Sequence, residues 1–89
     1  MSSSAYRICR IYEDYLLAIL ETFGKRPFFI RDLQEKGIEF PAGRTHIFFW
    51  HRGVLREYQH GHPSSWVITG PCREYLERRR ISDADRQRD

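Results

Sequence analysis

The sequence predicts an α+β domain: a small helical bundle, a β-hairpin and a closing helix. Three observations lead there. Apolar residues recur at three- and four-residue steps over residues 6–23, the spacing of one helix face. Pro41 and Gly53 bracket about three further helical turns, proline where a first turn tolerates it and glycine where a helix end needs it. Two short apolar runs, residues 54–58 and 66–69, then flank a loop of Gly, His, Pro and Ser.

Residues 2–4 are expected as a frayed start. One long helix is expected over residues 6–23, with Ile8, Ile11, Tyr12, Tyr15, Leu16, Ile19, Leu20 and Phe23 on its apolar face. Arg10, Glu13, Asp14 and Glu21 fall opposite, together with Tyr6 and Leu17. Two apolar residues on the polar side are either incidental or the mark of a second contact surface. Gly24 ends the helix. Residues 27–30 read as one brief strand, and residues 31–36 as a short helix with Leu33 inward and Gly37 as its C-cap. A helix over residues 41–52 follows, so a short helix, a turn and a second helix form a helix-turn-helix arrangement. In that helix Phe49 and Trp50 are expected to face the core, with His46 one turn earlier. After the hairpin, Thr69 caps a last helix whose apolar side is Tyr75 and Leu76 and whose end is Arg78, Arg79 and Arg80. Residues 1–5 are thus expected as a disordered start, 6–80 as one domain and 81–89 as a disordered charged tail.

Composition narrows the function. Hydrophobic residues make up 40% and charged residues 30%, a globular balance rather than a disordered one. No apolar run approaches the roughly 20 residues of a membrane span. No signal peptide is visible, so the expected location is cytoplasmic. The net charge is +3, and its excess sits in the middle: residues 25–62 carry seven cations against four anions. That favours an anionic partner there. Cys9 and Cys72 fit no metal spacing and no Cys-x-x-Cys motif, so they are expected as reduced, dispensable thiols.

The order helix, short strand, helix, helix, strand, strand, helix resembles the winged helix-turn-helix domain of small prokaryotic, archaeal and phage transcriptional regulators. Individual stretches resemble it too. Arg31-Asp32-Leu33 is similar to the start of the family's second helix. Residues 49–55, Phe-Trp-His-Arg-Gly-Val-Leu, are similar to the end of its recognition helix and the turn into the wing. Residues 68–76, Ile-Thr-Gly-Pro-Cys-Arg-Glu-Tyr-Leu, are similar to the wing exit and the last helix. The resemblance covers about residues 6–80. It implies double-stranded DNA as partner, a homodimer, and no cofactor.

An α-helix fits the major groove, where Arg pairs with guanine and Thr meets a thymine methyl. Arg44, Thr45, Phe48, His51 and Arg52 are therefore the base-reading candidates. Arg56, His60, His62 and Ser64 on the wing are candidates for the DNA backbone. By resemblance, so are Lys25, Arg26 and Arg31. Tyr6 and Leu17 are the dimer candidates. The competing reading is a winged-helix protein–protein module without DNA binding, since aromatics typify interface centres. Of His46, His51, His60 and His62, the His-x-His pair at 60 and 62 can place two imidazoles on one side of an extended chain. A structural zinc site needs about four ligands in tetrahedral geometry, and no carboxylate or cysteine lies at a telling spacing, so no metal is expected. No nucleophile, zinc-protease or phosphate-loop motif is present, and no enzyme activity is expected.

Overall fold

The computed structural model describes the backbone of residues 3–87 and the side chains of residues 5–80. Among these residues there are five helices and one two-stranded antiparallel sheet, an α+β arrangement. The helices are α1 (Ser3–Ile11), α2 (Glu13–Phe23), α3 (Ile30–Glu35), α4 (His46–His51) and α5 (Gly70–Gln87); the strands are β1 (Leu55–Gln59) and β2 (Ser65–Ile68). No described helix is long and apolar enough to cross a membrane.

The long first helix is divided at Tyr12, whose backbone (φ −109°, ψ 33°) leaves the helical well. The hydrogen-bond ladder still passes through it: Tyr12 N–H donates to Ile8 C=O, and Leu16 N–H donates to Tyr12 C=O, both at 3.0 Å. The result is a kink rather than a break. Tyr12 sets its ring edge-on against Phe48 and Phe49. Ile11, expected on the core face, is 59% exposed. Leu16, Ile19 and Leu20 stay on the core side as expected, and Leu17 is half-buried against the core rather than free on the far side.

Phe28 makes the brief strand pairing anticipated before α3. Its N–H and C=O exchange hydrogen bonds with Trp66 at 2.9 and 2.8 Å. Asp32 accepts from the Phe29 N–H at 2.9 Å and so fixes the start of α3. Gly37 and Gly53, at φ +73° and +75°, end α3 and α4 in the left-handed conformation that glycine adopts without a Cβ clash.

The expected helix over residues 41–52 shrinks to the six residues of α4. Gly43 takes positive φ and Arg44 N–H turns back to Pro41 C=O at 3.0 Å, so residues 41–44 form a turn. Thr45 is extended and precedes the first helical residue. Thr69 also departs from expectation. Its hydroxyl donates to Gly53 C=O at 2.7 Å and fastens the base of the hairpin instead of capping α5.

The α5 backbone stays helical to Gln87, well past Arg80, where a disordered tail was expected from residue 81. Residues 81–87 contain neither Gly nor Pro, so no strong breaker interrupts the helix. α1 likewise begins at Ser3, within the expected disordered start, while residues 1–2 and 88–89 lie outside the described residues. α5 packs on α1 and α2. Arg79 Nε lies 3.4 Å from Glu13, which also accepts from the Tyr75 hydroxyl at 3.2 Å.

The cysteines overturn the reduced-thiol expectation. Cys9 of α1 and Cys72 of α5 are both fully buried and joined as a disulfide, with Cα atoms 6.3 Å apart. Their separation of 63 residues hid the pairing. Nothing in the spacing of two isolated cysteines reports that α1 and α5 lie side by side.

Candidate nucleic-acid interface

α4 and the hairpin are held together by aromatic packing. Phe49 is fully buried and contacts the rings of Tyr12, Tyr15, Phe40 and Phe48. Tyr15 stacks on Phe49, and burial pushes its phenol pKa well above the usual value. On the wing side Trp66 of β2 meets both His46 and Trp50 of α4, with ring centroids 5.0 and 6.0 Å away. Burial also lowers the His46 pKa, so its imidazole is neutral near pH 7 and adds no charge to the surface.

This packing corrects the orientation expected for α4. Trp50 is 44% exposed, because the place beside the hairpin is filled by Trp66, which is 5% exposed. Ile47 is exposed as well. Phe48, expected as a base reader, is half-buried and packs on the core. It holds two arginines instead: the guanidinium of Arg44 lies 4.4 Å from the ring centroid, and that of Arg52 lies 5.3 Å from it. Arg44 Nε also donates to the Tyr12 hydroxyl at 3.2 Å. Arg44 and Thr45 sit ahead of α4 rather than in its first turn. Thr45, His51 and Arg52 are exposed.

Arg44 and Arg52 line an open groove of about 610 Å³ between α1 and α4, and Arg7 enters it from α1. Sequence reasoning missed Arg7 and Tyr12 as members of this surface. No periodic signal marks them, because the contact between Tyr12 and Arg44 spans 32 residues.

The backbone candidates scatter. Arg26 donates to the carbonyls of Phe23 and Thr22 at 3.1 and 3.0 Å and so satisfies the end of α2. Lys25 is exposed beside it. Arg31 lies 5.4 Å from the centroid of Phe29. Arg56 is exposed on β1 opposite Val67. At the wing tip, Ser64 is already engaged: its hydroxyl donates to Glu57 at 2.5 Å and accepts from Gly61 N–H at 3.1 Å. His60 lies 3.0 Å from the same carboxylate. The Ser64 and His60 hydrogen bonds hold the Glu57 carboxyl below the ordinary carboxylate range. The tip therefore spends its polar groups largely on itself; His60 and His62 are both exposed, and of the two His60 is engaged with Glu57. No group of three or more potential metal-ligating side chains occurs among the described residues.

Ion pairing is sparse where cations are dense. The salt bridges among the described residues join His60 to Glu57, Arg73 to Glu77 and Arg79 to Glu13. None involves Lys25, Arg26, Arg31, Arg44, Arg52 or Arg56. No family model, curated protein or solved structure matches this chain.

Proposed function

We propose that the protein binds double-stranded DNA as a small winged-helix transcriptional regulator. In this reading α4 enters the major groove, α3 buttresses it, and the β1–β2 hairpin is the wing against the backbone. One observation carries the reading. Arg44 in the turn before α4, Arg52 at its C-terminal end and Arg56 on the hairpin are exposed, and no carboxylate pairs with them among the described residues. Unpaired cations flanking a helix and on its adjoining hairpin suit a polyanion. Thr45 and His51 are the outward residues positioned to meet base edges. The cytoplasm goes with this reading because the DNA is there. The Cys9–Cys72 disulfide points instead to an oxidising compartment. A homodimer also goes with it, as two half-sites add affinity that one small domain lacks.

A specific observation favours the rival protein-interaction module: Ile47, Trp50 and Tyr58 are exposed on the same helix and hairpin. Titration of random-sequence duplexes at several salt concentrations separates the two. DNA binding gives salt-sensitive association, and Arg56→Ala lowers the slope of log K against log salt by about 0.9. Absence of duplex association at low salt refutes the DNA reading.

A further inference from the structure

The groove between α1, the Tyr12 kink and α4 brings together Arg7, Arg44 and Arg52. No carboxylate lines it, and none of the three arginines forms an ion pair among the described residues. Three like charges in one groove repel one another, so the arrangement lacks a counter-charge. The fold also pre-sets two of them. Arg44 and Arg52 rest over the Phe48 ring, and Arg44 is further tied to the Tyr12 hydroxyl. A guanidinium laid on an aromatic face keeps its N–H edge free for an anion and loses less freedom on binding one.

We propose that this groove is a phosphate-binding site formed by Arg7, Arg44 and Arg52. A phosphate offers several acceptor oxygens in different directions, which suits donors arriving from two helices and a turn; a single carboxylate presents two in one plane. The proposal partly rests on the DNA-binding reading, in which the phosphate belongs to the duplex backbone. α1 then joins the footprint, and Arg44 and Arg52 position the strand rather than read bases. A free phosphorylated ligand presents the same chemistry.

Two measurements on the full chain separate these sources. The first is titration of a fluorescent duplex between about 50 and 200 mM salt, for the parent, Arg7→Gln, Arg52→Gln and the control Arg80→Gln on α5. Losing one phosphate contact lowers the slope by about 0.9, so the parent's affinity ratio between the two salts falls about 3.5-fold in Arg7→Gln and Arg52→Gln. Arg80→Gln keeps the parent slope. The second is titration with inorganic phosphate while following arginine Nε–Hε NMR signals. Those of Arg7, Arg44 and Arg52 are expected to move together, and that of Arg80 is expected to stay. Arg7 is exposed, so Arg7→Gln removes no core contact, and circular dichroism checks its fold.

If the parent binds duplex and both groove variants keep its slope, the duplex backbone is overturned as the source. Groove signals unmoved by phosphate, together with unchanged slopes, overturn the site itself. A parent that ignores duplex but shows phosphate shifts lost in Arg7→Gln supports the site with a free phosphorylated ligand, and it refutes the DNA-binding reading alone.

Discussion

Reducing the Cys9–Cys72 bond is expected to destabilise the protein by about 4 kcal/mol. The magnitude follows from the loop it closes. A cross-link spanning 63 residues removes roughly 14 cal/mol/K of chain entropy from the unfolded state, which is about 4 kcal/mol at 25 °C. A chain of 89 residues has a total stability of roughly 4–13 kcal/mol, so the bond carries between a third and nearly all of it. For a domain this small, the loss corresponds to a drop of roughly 15–35 °C in Tm. The assay has two stages. Intact mass after alkylation without reductant establishes the bond in freshly prepared protein, and thermal unfolding by circular dichroism with and without reductant measures its effect. The Cys9→Ser, Cys72→Ser double variant should match the reduced parent to within the small cost of the added hydroxyls. Alkylation of both thiols in freshly prepared protein refutes the pairing, and with it the argument for an oxidising compartment. A confirmed bond whose reduction moves Tm by less than about 5 °C refutes the loop-closure reasoning.

Phe49→Ala should cost about 3–5 kcal/mol in urea unfolding, and Trp50→Ala clearly less, because Phe49 is fully buried and Trp50 is not. Equal losses would mean that α4 is rotated. Ser64→Ala should raise the Glu57 pKa towards the ordinary carboxylate range, read from side-chain carboxyl 13C shifts. Because folding depresses that pKa, the stability Glu57 contributes to the wing is present above its unfolded pKa and is lost as pH falls through the folded one. The protection factor of the Gly61 N–H, which is held by Ser64, should therefore fall in that acid range; a protection factor that stays constant there would contradict the linkage. Leu17→Asp should cost about 1–3 kcal/mol of stability, since Leu17 packs on the core. If the proposed homodimer forms, Tyr6→Asp should leave the fold intact and dissociate it in sedimentation at tens of micromolar. A parent already monomeric at that concentration removes the dimer from the proposal.

Local chemistry was the legible part of the sequence. Gly37 and Gly53 mark helix ends because few other residues accept their backbone angles, and the two apolar runs mark the hairpin for similarly local reasons. Phe49 was found because helical spacing placed it with the core. The expectations that failed depended on competition between distant residues. Trp50 looked as suited to the interior as Trp66, and only the folded hairpin decides which of them fills the place beside α4. The turn at Gly43 moved Arg44 out of the helix, which changed what its side chain can reach. Arg7 gave no signal at all, since its relevance depends on α1 crossing near α4. The cysteines belong to the same class: composition argued for free thiols, whereas proximity of two helices pairs them.

The pairing of Phe28 with Trp66 bears on how the sheet meets other chains. β2 is hydrogen-bonded on both sides, to β1 along its length and to Phe28 at one point, so the remaining open edge belongs to β1. An open edge is a template for strand addition and aggregation, and natural proteins guard it with short length, charge and irregularity. β1 has all three: it is five residues long, carries Arg56 and Glu57, and is interrupted by a bulge between Glu57 and Gln59. The charge at Arg56 thus also discourages a second copy of the hairpin from docking edge to edge, whatever it does toward a ligand.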